Sequence, residues 1–341
     1  MGYVIQSTER LKKTGADFET KAMLYLMCFR ADSEDIDFFV VDFFNDITGT
    51  DRFGRKLWDV QSKASGTATA KGIGRELVTL FKNYISDIDF YTYVLFLGGV
   101  PDTFRKNSSK SIFGIDNVKD KAKTSIVNGL IEEGKAKEYI NDTLITDMTI
   151  KSFLKKLVFV IDDKQREDYI REIIKNHPKL IPANDKLLAI FNEIRNKQSE
   201  KKNINVEGTV IFSASEALEY GKHLSAIEIK MLVIQRIINC DPVSGGIPVR
   251  FADIYHRCTP ESRNDMLDQC RLSVCSAMFN KSAQQYFWRL FENIYTTICE
   301  SETDDVNVIY EKLDKNIVEK CPDFDVLSLK YFIAKIMEGV L

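Results

Sequence analysis

Asp42-Phe-Phe-Asn-Asp46 and, after a polar turn, Leu57-Trp-Asp-Val-Gln-Ser-Lys63 decide how this chain reads. An acid ends the apolar stretch Ile36–Ile47, and a Gln-x-Lys triplet sits on the next strand. Leu57–Ala64 alternates, so Asp59, Gln61 and Lys63, two residues apart, share one strand face. Thr48-Gly-Thr-Asp-Arg-Phe-Gly54 is expected to supply the turn between the two strands. Upstream, Phe18, Ala22, Tyr25, Leu26 and Phe29 recur at three- and four-residue steps and predict a helix over Gly15–Arg30. Downstream, Ser65–Gly74 reads as a small, polar loop. Ile73–Ile85 then spaces Leu77, Leu80, Phe81 and Tyr84 as a helix, and Phe90–Leu97 has the length and composition of a buried strand. The order is α-β-β-α-β, with room for one further short strand inside Ile36–Ile47.

From Asp116 the pattern turns helical: Lys119–Tyr139, Ile150–Val158, Gln165–Asn176 and Lys186–Lys202. The polar stretch Asn196–Asn205 reads as a linker, and Gly208–Phe212 as a short strand. Helices are expected again over Ala214–Lys222, Ala226–Asn239, Pro260–Phe279, Ala283–Glu300, Val306–Lys320 and Val326–Leu341. No internal repeat or low-complexity segment is visible. Two domains are expected, 1–162 of α/β character and 163–341 mainly helical.

At 341 residues and 44% hydrophobic, the chain can bury a core in each. Charged residues make up 28% and the net charge is −3, so any surface for nucleic acid must be local. The seven cysteines are scattered and lack a CxxC pair, which argues for reduced thiols and against a disulfide scaffold. The apolar run Phe90–Val100 is about half of what spans a bilayer. The N-terminus lacks the pattern of a secretory signal, and Gln6 stands where myristoylation wants Ser or Thr. A soluble, cytoplasmic protein without membrane contact is expected.

An acid, a second oxygen ligand and a lysine on neighbouring strands suit phosphodiester hydrolysis. That chemistry needs an activated water, neutralisation of phosphate charge and help for the leaving oxygen, which a hard cation such as Mg²⁺ can serve. Asp46, the side-chain carbonyl of Gln61 and the backbone carbonyl of Ser62 are the candidate metal ligands. Lys63 would orient or deprotonate the attacking water, and Glu19 would complete the shell. Each is ordinary alone: an Asp near a strand end is commonly a turn former, and a strand Lys is commonly solvated. Asp42, four residues from Asp46, and Asp59 are rival ligands.

This arrangement resembles the PD-(D/E)XK superfamily of restriction-endonuclease-like nucleases, in its Gln-x-Lys variant. Gly15-Ala-Asp-Phe-Glu19, Asp46, Gln61-Ser-Lys63, Leu77–Ile85 and Tyr91–Leu97 are similar to the double-stranded-DNA endonuclease domain of bacterial anti-phage effectors of the CBASS and Lamassu systems. The likeness covers roughly residues 10–160, including Ile150-Lys-Ser-Phe-Leu-Lys-Lys-Leu-Val-Phe-Val160. It departs from many relatives in having Asp42 and Asn45-Asp46 where they place a Glu and paired acids. It implies a mixed central sheet flanked by helices, with a mainly α-helical regulatory domain behind it. It also implies Mg²⁺-dependent (or Mn²⁺-dependent) cleavage of double-stranded DNA. Control would come from the C-terminal domain, from homo-oligomerisation or from other defence-system subunits, an SMC-like ATPase being favoured. The alternatives are a nuclease-like scaffold that has lost catalysis, or an enzyme of the same fold acting on RNA, nicking DNA or working in restriction.

Arg52, Arg55, Lys56, Lys71 and Arg75, with Lys82, Arg105, Lys106 and Lys110, are candidates for phosphate-backbone contacts, against the bland reading of a solvated surface. Gly72-Ile-Gly74 reads as a flexible loop more readily than as a phosphate cradle. His256, Cys258, Cys270 and Cys275 lack zinc-knuckle spacing. His177 and His223 are expected at the surface, and Trp288 with Tyr286, Phe287 and Phe291 in a helical core.

Overall fold

In the computed structural model, which describes residues 2–5, 13–174 and 176–341, strand β1 (Tyr3–Val4) precedes helix α1 (Lys13–Cys28). Strands β2 (Phe38–Val41), β3 (Ile47–Thr50) and β4 (Leu57–Lys63) follow as an antiparallel meander. The further strand inside Ile36–Ile47 is therefore present, and Thr48–Thr50 belongs to β3 rather than to a turn. The reversal falls at 42–46 instead. There Asp42 takes a φ of 52°, and its N–H donates to the Asp46 carbonyl at 3.0 Å. Asp is among the few residues that tolerate this left-handed region.

After β4 come α2 (Ala70–Glu76), α3 (Val78–Tyr84) and β5 (Thr92–Leu97), which runs parallel to β4. The expected loop through Gly74 is shorter than its composition suggests: Thr69 caps α2 by accepting from the Gly72 N–H at 3.1 Å. Then follow β6 (Ile112–Gly114), α4 (Asp120–Lys135), α5 (Asp147–Lys156) and β7 (Leu157–Ile161). A Cβ at Gly74 would lie 2.1 Å from the Ile126 carbonyl oxygen, and one at Gly129 2.2 Å from that of Lys71, so glycines let α2 and α4 touch backbone to backbone.

Every residue of β5 is buried, as expected of a strand covered on both faces. Phe96 meets Phe18 and Tyr25 of α1, with ring centroids 4.9 and 5.6 Å away. On the other face Tyr93 meets Phe153 of α5 at 5.5 Å, and Phe153 meets Phe81 of α3 at 5.5 Å. Leu157–Ile161, of which the first two residues were expected to be helical, is a strand parallel to β5.

The chain continues through α6 (Arg166–Ile173), α7 (Asn184–Lys202), β8 (Val210–Ile211), β9 (His223–Ser225) and α8 (Ala226–Ile238). Lys186–Lys202 is helical as expected, within α7, so the stretch Asn196–Asn205 read as linker begins inside that helix. β9 pairs with β2, giving a seven-stranded mixed sheet in the order β6-β7-β5-β4-β3-β2-β9, and β1 pairs with β8. Helices α9 (Ala252–Arg257), α10 (Arg263–Phe279), α11 (Gln284–Glu300), α12 (Val306–Lys312), α13 (Lys315–Val318) and α14 (Val326–Val340) complete the described chain.

Two compact units result: Met1–Tyr169 with Phe191–Glu228, and Ile170–Ile190 with Ile229–Leu341. The expected cut at 162/163 differs from this division, because the sheet-bearing unit also takes in the end of α7, β8 and β9. In the helical unit, α14 buries Tyr331 through Met337. His177 is buried there beside Trp288 and 3.2 Å from Glu292, correcting its expected exposure. In the sheet-bearing unit His223 is half-buried in β9, edge-on to Phe38. No helix among the described residues is long and apolar enough to cross a membrane.

Candidate active site at the Gln-x-Lys strand

Asp46 stands at the mouth of the β2–β3 turn, beside the C-terminal half of β4. Its Oδ2 accepts three hydrogen bonds: from the Ser62 N–H (2.8 Å), the Ser62 hydroxyl (2.7 Å) and Gln61 Nε2 (3.0 Å). Strand alternation puts Gln61 and Ser62 on opposite faces of β4, so Asp46 gathers donors from both. Glu19 of α1 lies near enough to repel it. Burial first, and Glu19 second, push the Asp46 carboxyl up to about 7, against the stabilising Ser62 donors and the Lys202 charge.

Gln61 shares the α2–α3 face with Asp59 and Lys63. Its oxygen accepts from the Thr79 hydroxyl of α3 at 2.9 Å, leaving the amide nitrogen toward Asp46. Lys63, half exposed, pairs with Glu76 of α2 at 2.6 Å. Sequence spacing had no means of showing Thr79 or Glu76, which come from helices across a loop.

Asp59 is a structural group, not a ligand within reach of the others. It is fully buried, and takes hydrogen bonds from Asn83 Nδ2 (2.6 Å), Asn45 Nδ2 (3.2 Å) and the Thr48 hydroxyl (3.2 Å). Burial pushes its carboxyl up to about 6 in spite of those donors. Asn83 also accepts from the Tyr3 hydroxyl at 2.6 Å, tying β1 to this network.

Two lysines from the segment after α6, Lys222 buried and Lys202 partly so, enter the site unannounced. The Lys202 ammonium pairs with Glu19 Oε2, and Lys222 stands 3.8 Å from Asp42 Oδ2 while donating to the Ile204 carbonyl at 3.1 Å. Burial lowers the Lys222 pKa. Asp42, the rival ligand, is thus a turn residue with its own cation.

The cations expected along DNA divide by position. Arg52, Arg55 and Lys56 sit in the β3–β4 hairpin, at the opposite end of β4 from Gln61, roughly 16 Å away at the usual strand rise. Lys56 pairs with Asp35 at 2.7 Å and lies over the Tyr91 ring, and Arg55 lies over Phe53. Lys71 and Arg75, on α2, both reach Glu132, at 2.8 and 3.2 Å.

Asp46, Glu19, Gln61 and the Ser62 carbonyl form an all-oxygen donor set of the kind Mg²⁺ takes, provided the Gln61 amide turns over. An amide's two ends are nearly isosteric, and Thr79 can donate or accept, so that turn keeps the Thr79 bond and gives up the Gln61 donor to Asp46, whose place a cation would take. The negative charge of Glu19 that raises the Asp46 proton affinity favours a cation there for the same reason. The residues therefore fit a divalent metal. Among the described residues no group of three His, Cys, Asp or Glu is gathered for one; the set here contains two carboxylates. Comparisons with protein-family models, with curated proteins and with solved structures find no match.

Proposed function

We propose that the sheet-bearing unit is a Mg²⁺-dependent endonuclease acting on double-stranded DNA. One observation carries this: the Asp46 carboxylate, which feels the charge of Glu19, is held to the Gln61-Ser62 segment by three hydrogen bonds. A carboxylate with a raised proton affinity is costly to keep unless a cation or a proton is meant to share it. Asp46, Glu19, Gln61 and the Ser62 carbonyl would hold the metal. When bound, it supplies charge neutralisation at the phosphate and a water of lowered pKa. Lys63 does the rest of the local work. Its pairing with Glu76 is half exposed, which makes it weak and exchangeable for a phosphate oxygen. Its ammonium then orients the attacking water and offsets the charge building on phosphorus.

Double-stranded DNA as substrate, and a role in anti-phage defence under the control of the helical unit or an SMC-like ATPase partner, rest on the sequence resemblance alone. The test is cleavage of linear and supercoiled plasmid with Mg²⁺ or Mn²⁺ by wild type, Asp46→Ala and Lys63→Ala, with candidate partners added. Metal-dependent cutting that disappears in both variants is expected. Cutting that survives both substitutions would sink the assignment.

A second reading draws on Lys202 and Glu76: with these in place Glu19 and Lys63 are paired without any metal. A nuclease-like scaffold would carry such pairs, and folded wild type that never cuts, alone or with partners, is its signature.

A further inference from the structure

Glu19 is held from two positions on α7. Gln198 Nε2 lies 3.5 Å from its Oε2, and Lys202, one turn further on the same helix face, pairs with that oxygen. Gln198 is itself fixed, since its Oε1 accepts from the Thr20 hydroxyl at 2.8 Å. Arg195, one turn earlier, reaches Asp17 at 2.9 Å. The last turns of α7 are thus docked on the acidic start of α1 by a run of polar contacts. The Lys202 and Glu19 side chains are only 11% and 13% exposed, so this ion pair is far from a solvated surface bridge.

The charge of Lys202 also reaches past Glu19. It acts on Asp46, favouring the carboxylate, and on Lys222, disfavouring the ammonium. Lys63 does not fill this place, being paired with Glu76. Glu19, Asp42 and Asp46 against Lys202 and Lys222 leave one net negative charge. A divalent cation added with both lysines in place overshoots to one positive; exchanged for Lys202, it leaves none. In a partly desolvated cluster, uncompensated charge is what costs most.

We infer that Lys202 is the site's own counter-cation, seated on Glu19 in the acid cluster that would hold a divalent metal, so that metal loading expels it. This rests on the metal-binding reading proposed above. Lys202 thereby acts as a positioning residue that sets metal affinity, and the end of α7 is the element that must give way on loading.

The experiment is Mn²⁺ binding to the full chain by calorimetry, for wild type, Lys202→Met and Asp46→Asn. Met keeps the apolar stem and removes the ammonium. Lys202→Met is expected to bind Mn²⁺ more tightly than wild type by about tenfold or more, as loss of a competing charge should give. Equal or weaker binding by a Lys202→Met protein of native circular dichroism overturns the inference. A second measurement needs no variant: labelling of wild type with an amine-specific ester, read by mass spectrometry. Lys202 should be protected without metal and become reactive at saturating Mn²⁺; protection unchanged by Mn²⁺ overturns the inference. Failure of the underlying metal reading looks different. In that case Asp46→Asn binds Mn²⁺ as wild type does, or no protein binds it.

Discussion

Replacing Asp46 by Asn should stabilise the metal-free protein, and the gain should grow with pH. A carboxyl moved from 3.8 to about 7 carries, at about 1.4 kcal/mol for each tenfold change in proton affinity, roughly 4 kcal/mol. The sign follows from linkage. The native state holds this proton more tightly than the unfolded chain, so native stability falls as pH rises from the unfolded value through the folded one. By pH 8 nearly the whole cost is present. At pH 5 the unfolded chain has lost its proton but the native state has not, and roughly 1.7 kcal/mol applies. Asn removes the titration and keeps an oxygen for the Ser62 N–H and hydroxyl, though its own amide group disturbs the Gln61 bond. That disturbance is the same at both pH values, so it cancels in their difference. The stabilisation by Asp46→Asn should therefore be larger at pH 8 than at pH 5 by roughly 2 to 3 kcal/mol. The assay is urea unfolding in EDTA, followed by Trp58 fluorescence. Trp58 lies in the sheet-bearing unit, and the chain's other tryptophan, Trp288, lies in the helical unit. Both proteins would carry Trp288→Phe so that only the relevant unit reports. A difference between the variants that is flat across this range, or larger at pH 5, would refute the claim that burial and Glu19 raise Asp46.

Gly74→Ala drives a methyl group into the Ile126 carbonyl, 2.1 Å from where it would sit, and separating α2 from α4 should cost about 2–3 kcal/mol. That corresponds to a fall of roughly 5–10 °C in the melting temperature of a unit this size; a change within about 1 °C would show that the helices are not locked there. Glu132→Gln releases Lys71 and Arg75, and should tighten binding to a DNA duplex while steepening its salt dependence by up to about two phosphate contacts. An unchanged salt slope in a filter-binding titration would place α2 away from the nucleic acid.

The strands β4 and β5 and the helix α1 were legible because each carries one unambiguous period. Leu57–Lys63 alternates, Tyr93–Leu97 is hydrophobic throughout, and Phe18 to Phe29 steps by three and four. β7 was not, because Leu157-Val-Phe-Val-Ile follows α5 without a Gly or Pro between them. Five apolar residues satisfy a buried helix turn and a buried strand equally, and only pairing with β5 decides. The turn at 42–46 escaped for a related reason. It contains no glycine, and its reversal depends on Asp42 accepting a positive φ. Lys186–Lys202 read correctly as helix, but its polar end also looked like the start of a linker; Gln198 and Lys202 there are engaged with Thr20 and Glu19 of α1.

The sequence by itself determined a local juxtaposition: Asp46 beside Gln61-Ser62-Lys63 on an alternating strand. It could do so because these residues lie on neighbouring elements of one local meander, where spacing and alternation fix proximity. Tertiary structure alone decided which groups meet which. It buried Asp59 in an amide network and paired Lys63 with Glu76. It also set Lys202 and Lys222, more than 150 positions from Glu19 and Asp42, among the acids. Charge compensation in a buried cluster depends on distance in space, and a linear pattern carries none of it between elements so far apart.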